Sequence, residues 1–433
     1  MENISNIFLN KKILIYGLGK SGLSTFNFLK NKSEVFLYDD FQKKIKNRYL
    51  KSYLISQKKI PELKFDKIIL SPGIDINKCN LTKFLKKNFE KIYTDFDIFY
   101  SFYKNDCITI TGTNGKSTTC QLLFETLNGQ KTDVRLAGNI GNPILSIKNI
   151  KKKTIIVIEA SSYQLEYSKI FRSKYAVILN LSPDHIERHK TMNNYVKAKF
   201  KLLQNQLKGN FAFVKKNDIL ISQALKKKKF KSKIIKVDIL KVKKFLKNTK
   251  NDYFLTETNK ENLSFILEIS KKLNLKKNLL KKTIKNFRGL KYRQQIIFKN
   301  NKITIINDSK STSFSSSKGI LKTSQKIFWL LGGVPKKGDK FLLPKKYLNN
   351  IKAFIYGKNK KFFINQLKNK VDYKNFKDMR SALREIISTI KNDKRTNKTL
   401  LFSPSAASFD EFKNFEERGF YFNRLIKKYL HVL

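Results

Sequence analysis

The chain has 433 residues, 41% of them hydrophobic, which suffices for two to four domains with sizeable cores. It contains no apolar run of about 18 residues and no signal-peptide pattern, and its three scattered cysteines fit no metal spacing, so we expect a cytoplasmic protein without a membrane span. The formal net charge is +58, but lysine is spread along the whole chain without a nucleic-acid-binding motif, which argues against a nucleic-acid partner.

Residues 1–100 predict a first α/β unit. Three strands are each followed by a turn with candidate binding residues, and a helix, Leu23–Leu29, follows the first turn; the strands are Lys12–Tyr16, Glu34–Tyr38 and Lys67–Leu70. The first turn, Gly17–Gly22, reads Gly-x-Gly-x-x-Gly and is typical of a Rossmann-type domain. This pattern alone fits NAD or another nucleotide. Asp39-Asp40 ends the second strand, and Ser71-Pro72-Gly73 ends the third.

Residues 101–290 predict a second unit built around a phosphate-binding loop. A β-branched strand from residue 108 runs into the loop, and a helix over 120–127 follows. Glycines let backbone N–H groups face phosphate, the lysine can reach the outer phosphates, and a hydroxyl can ligate Mg²⁺. Ile110 stands where the longer form of this loop has glycine, so the pattern is the shorter Gly-x-x-Gly-Lys-Ser-Thr. The candidate nucleotide-binding residues are Gly112, Thr113, Asn114, Gly115, Lys116, Ser117 and Thr118.

Two further strands of this unit, Thr154–Ile158 and Tyr175–Leu179, end at polar residues. Glu159 follows the first, where a carboxylate can ligate Mg²⁺ or simply be solvated. His185 lies just past the second and could be catalytic or structural. Residues 216–252 are lysine-rich, and we expect surface elements there, followed by a helix over Lys260–Leu273.

Residues 291–433 predict a third unit of alternating strands and helices, with strands Ile303–Ile306, Ile327–Leu331, Ala353–Tyr356 and Thr399–Phe402. Three of these strands end in small or cationic residues, over 307–312, 332–336 and 403–408. If the strands are neighbours, their ends form an anion-binding crevice; ordinary turns are the alternative. Ser408 would then start a helix over Phe409–Glu417.

These loops, in this order and over the whole chain, resemble those of the Mur ligases, which add amino acids to the peptidoglycan precursor. The resemblance is closest to the branch that adds D-glutamate, and the Asp-Asn-Pro-Arg signature of another branch is absent. The segments that carry it are Gly17–Gly22, Ser71–Gly73, Gly112–Thr118, Gly138–Gly141, Glu159–Glu166, Asp184-His185, Asn259 and Asn262, Phe287–Leu290, Asn307–Thr312, Gly332–Lys336 and Ser403–Gly419.

The resemblance implies a role for each matching residue. Lys116, Glu159, His185 and Lys199 would be catalytic, with Lys199 carbamylated. Two Mg²⁺ ions would be held by Ser117, Thr118, Glu159, His185 and the modified Lys199. Asn262, Arg293 and Asp308 would contact the adenosine side of ATP. Ser71, Gly73 and Asn139 would contact the UDP-sugar peptide, and the glutamate pocket would be formed by Lys310, Thr312, Lys336, Ser408 and Phe415.

The implied fold has three α/β domains: Rossmann-like, P-loop ATPase-like and Rossmann-like. The implied reaction joins D-glutamate to UDP-N-acetylmuramoyl-L-alanine through an acyl phosphate made from ATP, in a cytoplasmic monomer. Three alternatives remain at this point. They are an amide ligase of the folylpolyglutamate synthase type, a basic P-loop ATPase acting on nucleic acid, and an NAD-dependent dehydrogenase.

Overall fold

A computed structural model describes residues 6–322, 325–393, 395 and 397–432. The described residues form an α/β fold with three mainly parallel sheets, which confirms the predicted fold class. The strands are β1 Lys12–Tyr16, β2 Glu34–Tyr38, β3 Lys67–Leu70, β4 Ile92–Tyr93, β5 Cys107–Thr111, β6 Val134–Gly138, β7 Ile155–Glu159, β8 Tyr175–Ile178, β9 Phe211–Lys215, β10 Lys233–Val237, β11 Gln295–Lys299, β12 Ile303–Asn307, β13 Ile327–Gly332, β14 Ile351–Tyr356, β15 Asp372–Phe376 and β16 Lys398–Phe402.

Helices connect the strands along the chain. They are α1 Lys20–Leu29, α2 Arg48–Lys51, α3 Thr82–Lys87, α4 Asp95–Phe102, α5 Lys116–Gly129, α6 Ser162–Glu166, α7 Ile186–His189, α8 Met192–Gln204, α9 Ile219–Lys227, α10 Val242–Lys247, α11 Glu257–Lys272, α12 Lys277–Asn286, α13 Phe314–Leu321, α14 Lys360–Leu367, α15 Met379–Asn392 and α16 Phe415–Lys427. In the described part of the chain, none of these helices is both long and apolar enough to cross a bilayer.

The order of strands in each sheet decides which loops are neighbours. The first sheet runs β2-β1-β3-β4, the second β10-β9-β8-β5-β7-β6, and the third β11-β12-β16-β13-β14-β15. Only the β11–β12 pair is antiparallel among the strand pairs described. In a parallel sheet all carboxyl ends lie on one edge, so loops that follow adjacent strands share that edge.

The chain divides into two compact units. One comprises Met1–Asp238 and Phe265–Leu280, and the other comprises Ile239–Ser264 and Lys281–Leu433. The first unit therefore holds the first two sheets, and the second unit holds the third sheet. Residues of α11 and α12 are divided between the units. The finer division at residues 100 and 290 stays a prediction.

Continuous apolar runs build the buried centre of each sheet. All five residues of β5 and all six of β13 are buried, because helices cover both faces of a parallel sheet. Where a strand is less buried it lies towards the edge, as in β15, whose residues are partly or fully exposed. This burial fixes the strand ends, and with them the loops that follow.

The structure corrects one local expectation. The lysine-rich segment over 216–252 forms surface elements as expected, namely the edge strand β10 and the helices α9 and α10, each with a single buried residue. The helix expected over Phe409–Glu417 is wrong, because helix α16 begins at Phe415, where the Asn414 side chain accepts a hydrogen bond from Glu417 N. The segment 408–412 that precedes this helix forms turns, in which Phe412 N donates to Ser408 O at 2.9 Å.

Candidate active site

The loop after β5 has the shape needed to surround phosphate. Gly112 (φ +147°) and Gly115 (φ +85°) adopt left-handed conformations, and a Cβ on Gly112 would lie 3.0 Å from Leu179 Cβ. A larger residue at either position would be strained. Asn114 N donates to Asn180 Oδ1 at 2.9 Å, which ties the loop to the end of β8. The loop leads directly into α5, whose amino terminus attracts anions.

Lys116 lies over this loop. Its Nζ donates to Gly112 O at 2.9 Å and to Thr113 O at 2.8 Å, so its ammonium group lies where phosphate oxygens would be held. Ser117 and Thr118 follow in the first turn of α5 and are both buried. The seven predicted nucleotide-binding residues thus lie together in one loop and one helix turn.

Glu159 ends β7, the strand beside β5, and is 1% exposed. Its Oε1 accepts a hydrogen bond from Asn139 Nδ2 at 2.8 Å. Its Oε2 is buried without a hydrogen-bond partner. Buried carboxylate oxygens are costly to leave unpaired, so this atom is available to a group that the protein itself does not supply.

His185 follows β8, on the other side of β5. It has φ +55°, and its Nδ1 lies 2.9 Å from the Tyr163 hydroxyl. Its ring also lies near two carboxylates, at 3.4 Å from Asp184 Oδ2 and 3.5 Å from Glu187 Oε1. A left-handed conformation at a non-glycine residue is uncommon and is often found at functional sites.

Lys199 points inward from α8 and is 1% exposed. Its Nζ donates to Gly112 O at 2.8 Å and to Thr111 Oγ1 at 3.3 Å, so the phosphate-binding loop is its immediate neighbour. Burial, and then the positive charge of Lys116, hold the pKa of Lys199 well below its usual range. A lysine in this environment favours the neutral amine.

These residues alone supply only part of the ligand set of a divalent metal ion. In the described ranges no three His, Cys, Asp or Glu side chains lie close enough to form a metal site. Mg²⁺ in phosphoryl-transfer sites, however, needs only one or two protein carboxylates beside substrate phosphates and water. The unpartnered Glu159 Oε2 at the end of β7 and the buried Ser117 and Thr118 in the first turn of α5 are compatible with that arrangement.

The first sheet brings its predicted loops together as well. The Ser71 hydroxyl donates to Gly17 O at 2.6 Å, and a Cβ on Gly73 would meet no atom within 4 Å, so the loop has open space beside it. Both oxygens of Asp39 accept backbone N–H groups, from Leu18 at 2.7 Å and Phe41 at 2.8 Å, so this carboxylate holds the turn after β1 against the end of β2.

In the second unit, Asp308 is buried at the end of β12. Its carboxylate accepts from Gln294 N at 3.1 Å and from the Ser403 hydroxyl at 3.0 Å. Burial raises the pKa of Asp308 to about 7, although these two hydrogen bonds and two arginines oppose the shift. The carboxyl group is therefore poised between its two protonation states near neutral pH.

Two cations, Lys310 and Arg293, share one aromatic ring in this unit. Lys310 Nζ lies 4.2 Å from the centre of the Phe415 ring, and the Arg293 guanidinium carbon lies 5.7 Å from the same centre. Both cations are therefore attracted to the ring face. Asn262, on α11, is 1% exposed, and its side-chain oxygen has no hydrogen-bond partner.

The three strand-end loops of the second unit share one edge, because β16 pairs in parallel with both β12 and β13. Thr312 and Lys336 are half-buried on two of these loops, and Ser408 is buried on the third. The loops that were expected to form a crevice of small and cationic residues are therefore neighbours along this edge. Ser408 does not start a helix, however, so it cannot act through a helix terminus.

Sequence reasoning missed two supporting residues. Tyr163 orients His185, and its place inside the Glu159–Glu166 segment was the available signal. Arg418 is buried and donates to Ser309 O at 2.7 Å and to Ala406 O at 2.9 Å. It thereby joins two of the three strand-end loops, a role that its position in a polar helix does not reveal.

Comparison with known proteins gives consistent matches. Residues 110–286 match the Mur ligase middle domain. The chain is 35% identical to the UDP-N-acetylmuramoylalanine–D-glutamate ligase of Rickettsia prowazekii, over 98% of this chain and 99% of the relative. It is 30% identical to the enzyme of the same name from Caldicellulosiruptor bescii, over 98% of each chain.

Solved structures share the fold at low sequence identity. The MurF ligase of Thermotoga maritima in complex with ADP has a TM-score of 0.57 at 12% identity, covering 99% of this chain and 100% of that one. The UDP-N-acetylmuramate–alanine ligase of the same organism has a TM-score of 0.53 at 16% identity, covering 98% and 100%.

Proposed function

Because the chain belongs to the Mur ligase family, we infer that it is an ATP-dependent ligase that joins D-glutamate to UDP-N-acetylmuramoyl-L-alanine. The reaction forms an amide bond during synthesis of the peptidoglycan precursor. One observation carries this inference: the similarity to ligases of that name extends over 98% of the chain, so it includes the first sheet and the strand-end loops of the third sheet.

We propose that the loop over Gly112–Thr118 holds the ATP phosphates. The neighbouring backbone N–H groups, the Lys116 ammonium group and the start of α5 offer positive charge to the transferring phosphoryl group. The alanyl carboxylate attacks the γ-phosphorus, and ADP leaves. The product is an acyl phosphate, which is reactive towards an amine.

We assign Glu159 and His185 to metal ligation, together with the hydroxyls of Ser117 and Thr118. When bound, Mg²⁺ supplies charge stabilisation for the phosphoryl group. Within the protein, Asn139 holds one oxygen of Glu159 and leaves the other free to ligate, and Tyr163 orients the His185 ring. Such supporting contacts keep metal ligands in position.

We propose that Lys199 is carbamylated. A neutral amine can add carbon dioxide, and burial lowers the pKa of Lys199, which favours its neutral form. Addition of carbon dioxide, with loss of a proton, would replace the buried amine by a carboxylate-like ligand beside Gly112. The carbamate would thereby add a second acidic group to the metal site, in addition to Glu159.

We assign the remaining predicted residues by resemblance. Ser71, Gly73 and Asn139 would contact the UDP-sugar peptide, and Asn262, Arg293 and Asp308 the adenosine side of ATP. For glutamate, Lys310 and Lys336 supply positive charge, and Thr312, Ser408 and Phe415 complete the pocket. The glutamate amine then attacks the acyl carbon, loses a proton, and phosphate leaves with the former carboxylate oxygen.

Phosphate release tests this function directly. We expect release only when ATP, UDP-N-acetylmuramoyl-L-alanine and D-glutamate are all present, with L-glutamate inactive. A substrate of the folate type that replaced the UDP-sugar peptide would favour the other amide-ligase class. Release stimulated by DNA or RNA, with steep salt dependence, would refute the ligase assignment.

We also propose three domains, over 1–100, 101–290 and 291–433, and a cytoplasmic monomer. The three described cysteines are free thiols, two of them buried, as is usual in a reducing compartment. Light scattering of the purified protein would test the oligomeric state, and limited proteolysis near residues 100 and 290 would test the domain bounds.

A further inference from the structure

Arg188 is a buried arginine that connects the first and second sheets. It lies on α7, three residues after His185, and is 8% exposed. Its Nη2 donates to Ile74 O at 2.7 Å, in the loop that follows β3 of the first sheet. That loop also contains Ser71, whose hydroxyl is bonded to Gly17 O. A single guanidinium group therefore reaches from the His185 turn to the loop proposed to bind the UDP-sugar peptide.

Glu166, at the end of α6, fixes the guanidinium group in this position. Arg188 Nε and Nη2 lie 3.2 Å and 3.1 Å from Glu166 Oε2. The guanidinium also lies over the Tyr163 ring, 4.8 Å from its centre, and Tyr163 is the residue that orients His185. Burial raises the pKa of Glu166, and Arg188 opposes that shift. The charged pair therefore stabilises the ionised carboxylate.

Three side-chain contacts hold helices α6 and α7 together as one platform. Besides Arg188 with Glu166 and His185 with Tyr163, His189 Nε2 lies 2.9 Å from the Ser162 hydroxyl. Only Arg188 among these three extends the platform to the first sheet, through Ile74 O. It alone among them can transmit a displacement of the Ser71–Asp75 loop to the His185 turn.

A second contact between the same two sheets does not involve the Ser71–Asp75 loop. Asp97, on α4, is buried, and its Oδ1 accepts backbone N–H groups from Lys169 at 2.9 Å, Ile170 at 2.8 Å and Phe171 at 3.0 Å. Asp97 thus holds the two sheets together at a separate place. The two contacts can therefore be tested separately.

We propose that Arg188 is a positioning residue that sets the Ser71–Asp75 loop against the His185 turn, so that the bound acceptor presents its carboxylate to the phosphate-binding loop. The proposal rests on the ligase function above and deepens it. Arg188 touches neither reacting group, and it acts on both binding and rate. A misplaced acceptor would bind more weakly and would also reach the reactive geometry less often.

The test compares Arg188→Met with the wild-type ligase. Loss of the charge-assisted bond to Ile74 O should raise the KM for UDP-N-acetylmuramoyl-L-alanine by about tenfold or more and also lower kcat, with the KM for ATP and D-glutamate within about twofold. Arg188→Lys, which keeps the charge but not the fork of donors, should fall between the two proteins. Calorimetric binding of the UDP-sugar peptide should weaken in parallel with the KM.

Two further variants separate positioning from stability. Arg188→Met removes the guanidinium group that contacts Oε2 of the partly buried Glu166, so the double variant Arg188→Met/Glu166→Gln should regain thermal stability but not the KM. Asp97→Asn should lower the melting temperature while leaving the KM for the UDP-sugar peptide within about twofold, since it weakens the other contact between the two sheets. This pattern would support the positioning role.

Four results would overturn the proposal. An Arg188→Met protein that stays folded with an unchanged KM and kcat would show that the loop needs no such support. A double variant that recovers both stability and KM would make Arg188 merely structural, as would an Asp97→Asn variant with the same rise in KM. A wild-type protein inactive with these substrates would remove the proposed function together with the inference.

Discussion

Replacement of Asp308 by asparagine should stabilise the second unit, and should do so increasingly as the pH rises. The carboxyl pKa rises from 3.8 to about 7 in the folded protein, mainly because of burial. Between these two values the folded protein holds a proton that the unfolded chain has released. Stability must therefore fall as the pH rises through that window, and below the lower value the effect disappears.

The size of the effect follows from the width of the window. One pKa unit corresponds to about 1.4 kcal/mol, so the wild-type protein should lose about 2–3 kcal/mol relative to Asp308→Asn between about pH 5 and about pH 8. Asparagine can keep both hydrogen bonds, because its oxygen can accept from Gln294 N and the Ser403 hydroxyl can accept from its amide. The difference should therefore reflect proton binding rather than lost contacts.

The chain contains its own reporter for this measurement. Trp329 is the only tryptophan, it is buried in the same sheet, and its Nε1 donates to Ser403 O at 2.7 Å. Its fluorescence during urea unfolding follows the unit that contains Asp308. With a slope of about 2 kcal/mol per molar urea, the predicted difference is a shift of about 1 M in the midpoint.

The control is Asp372→Asn, in the same sheet, because the Asp372 side chain is 66% exposed. It should change the midpoint little and by the same amount at both pH values. If the gain of Asp308→Asn over wild type were the same at both pH values, the reasoning would be refuted. We also expect this more stable variant to have a higher KM for ATP, because the carboxylate is assigned to the adenosine side.

Three other substitutions test the proposed site. Lys116→Ala should lower kcat for phosphate release by about a hundredfold or more without loss of UDP-sugar binding by calorimetry; turnover within about threefold of wild type would contradict its phosphoryl role. Lys199→Ala should lose at least about a hundredfold in activity and should regain part of it with acetate or propionate. The control Lys197→Ala, at an exposed position of the same helix, should keep its activity. Wild-type activity in Lys199→Ala would contradict the carbamate proposal. Lys336→Ala should raise the KM for D-glutamate by about tenfold while sparing the KM for ATP; an equal effect in the neighbouring exposed Lys337→Ala would point to general charge.

The sequence predicted the strand ends well because their signals are local. β-branched or aliphatic runs bounded by glycine and polar residues predicted β1, β2 and β3 with their observed bounds. The order of the strands in each sheet could not be predicted so directly, because strand pairing depends on contacts between residues that are distant in sequence. The predicted crevice in the second unit depended on β16 lying between β12 and β13, which only the topology reveals.

Side-chain roles were harder to predict where lysine is abundant. Lys199 resembles many other lysines by composition, and only its burial against Gly112 O distinguishes it physically. The partners of Asn139 and Arg188 were equally hidden, because each contact joins residues at least 20 positions apart. The late start of helix α16 escaped prediction because its cap is Asn414, whose side chain accepts a hydrogen bond from Glu417 N.

Two residues of the proposed site each have a buried side-chain oxygen without a hydrogen-bond partner. Glu159 Oε2 in the first unit and the Asn262 side-chain oxygen in the second are buried without partners. Each such group costs about 1–3 kcal/mol in a folded protein. Elsewhere a serine or a backbone N–H could have satisfied them, as Ser403 and Gln294 satisfy Asp308. Because both atoms belong to residues that we assign to ATP or its metal, we expect binding of those groups to remove this cost and to stabilise the unit that contains each atom.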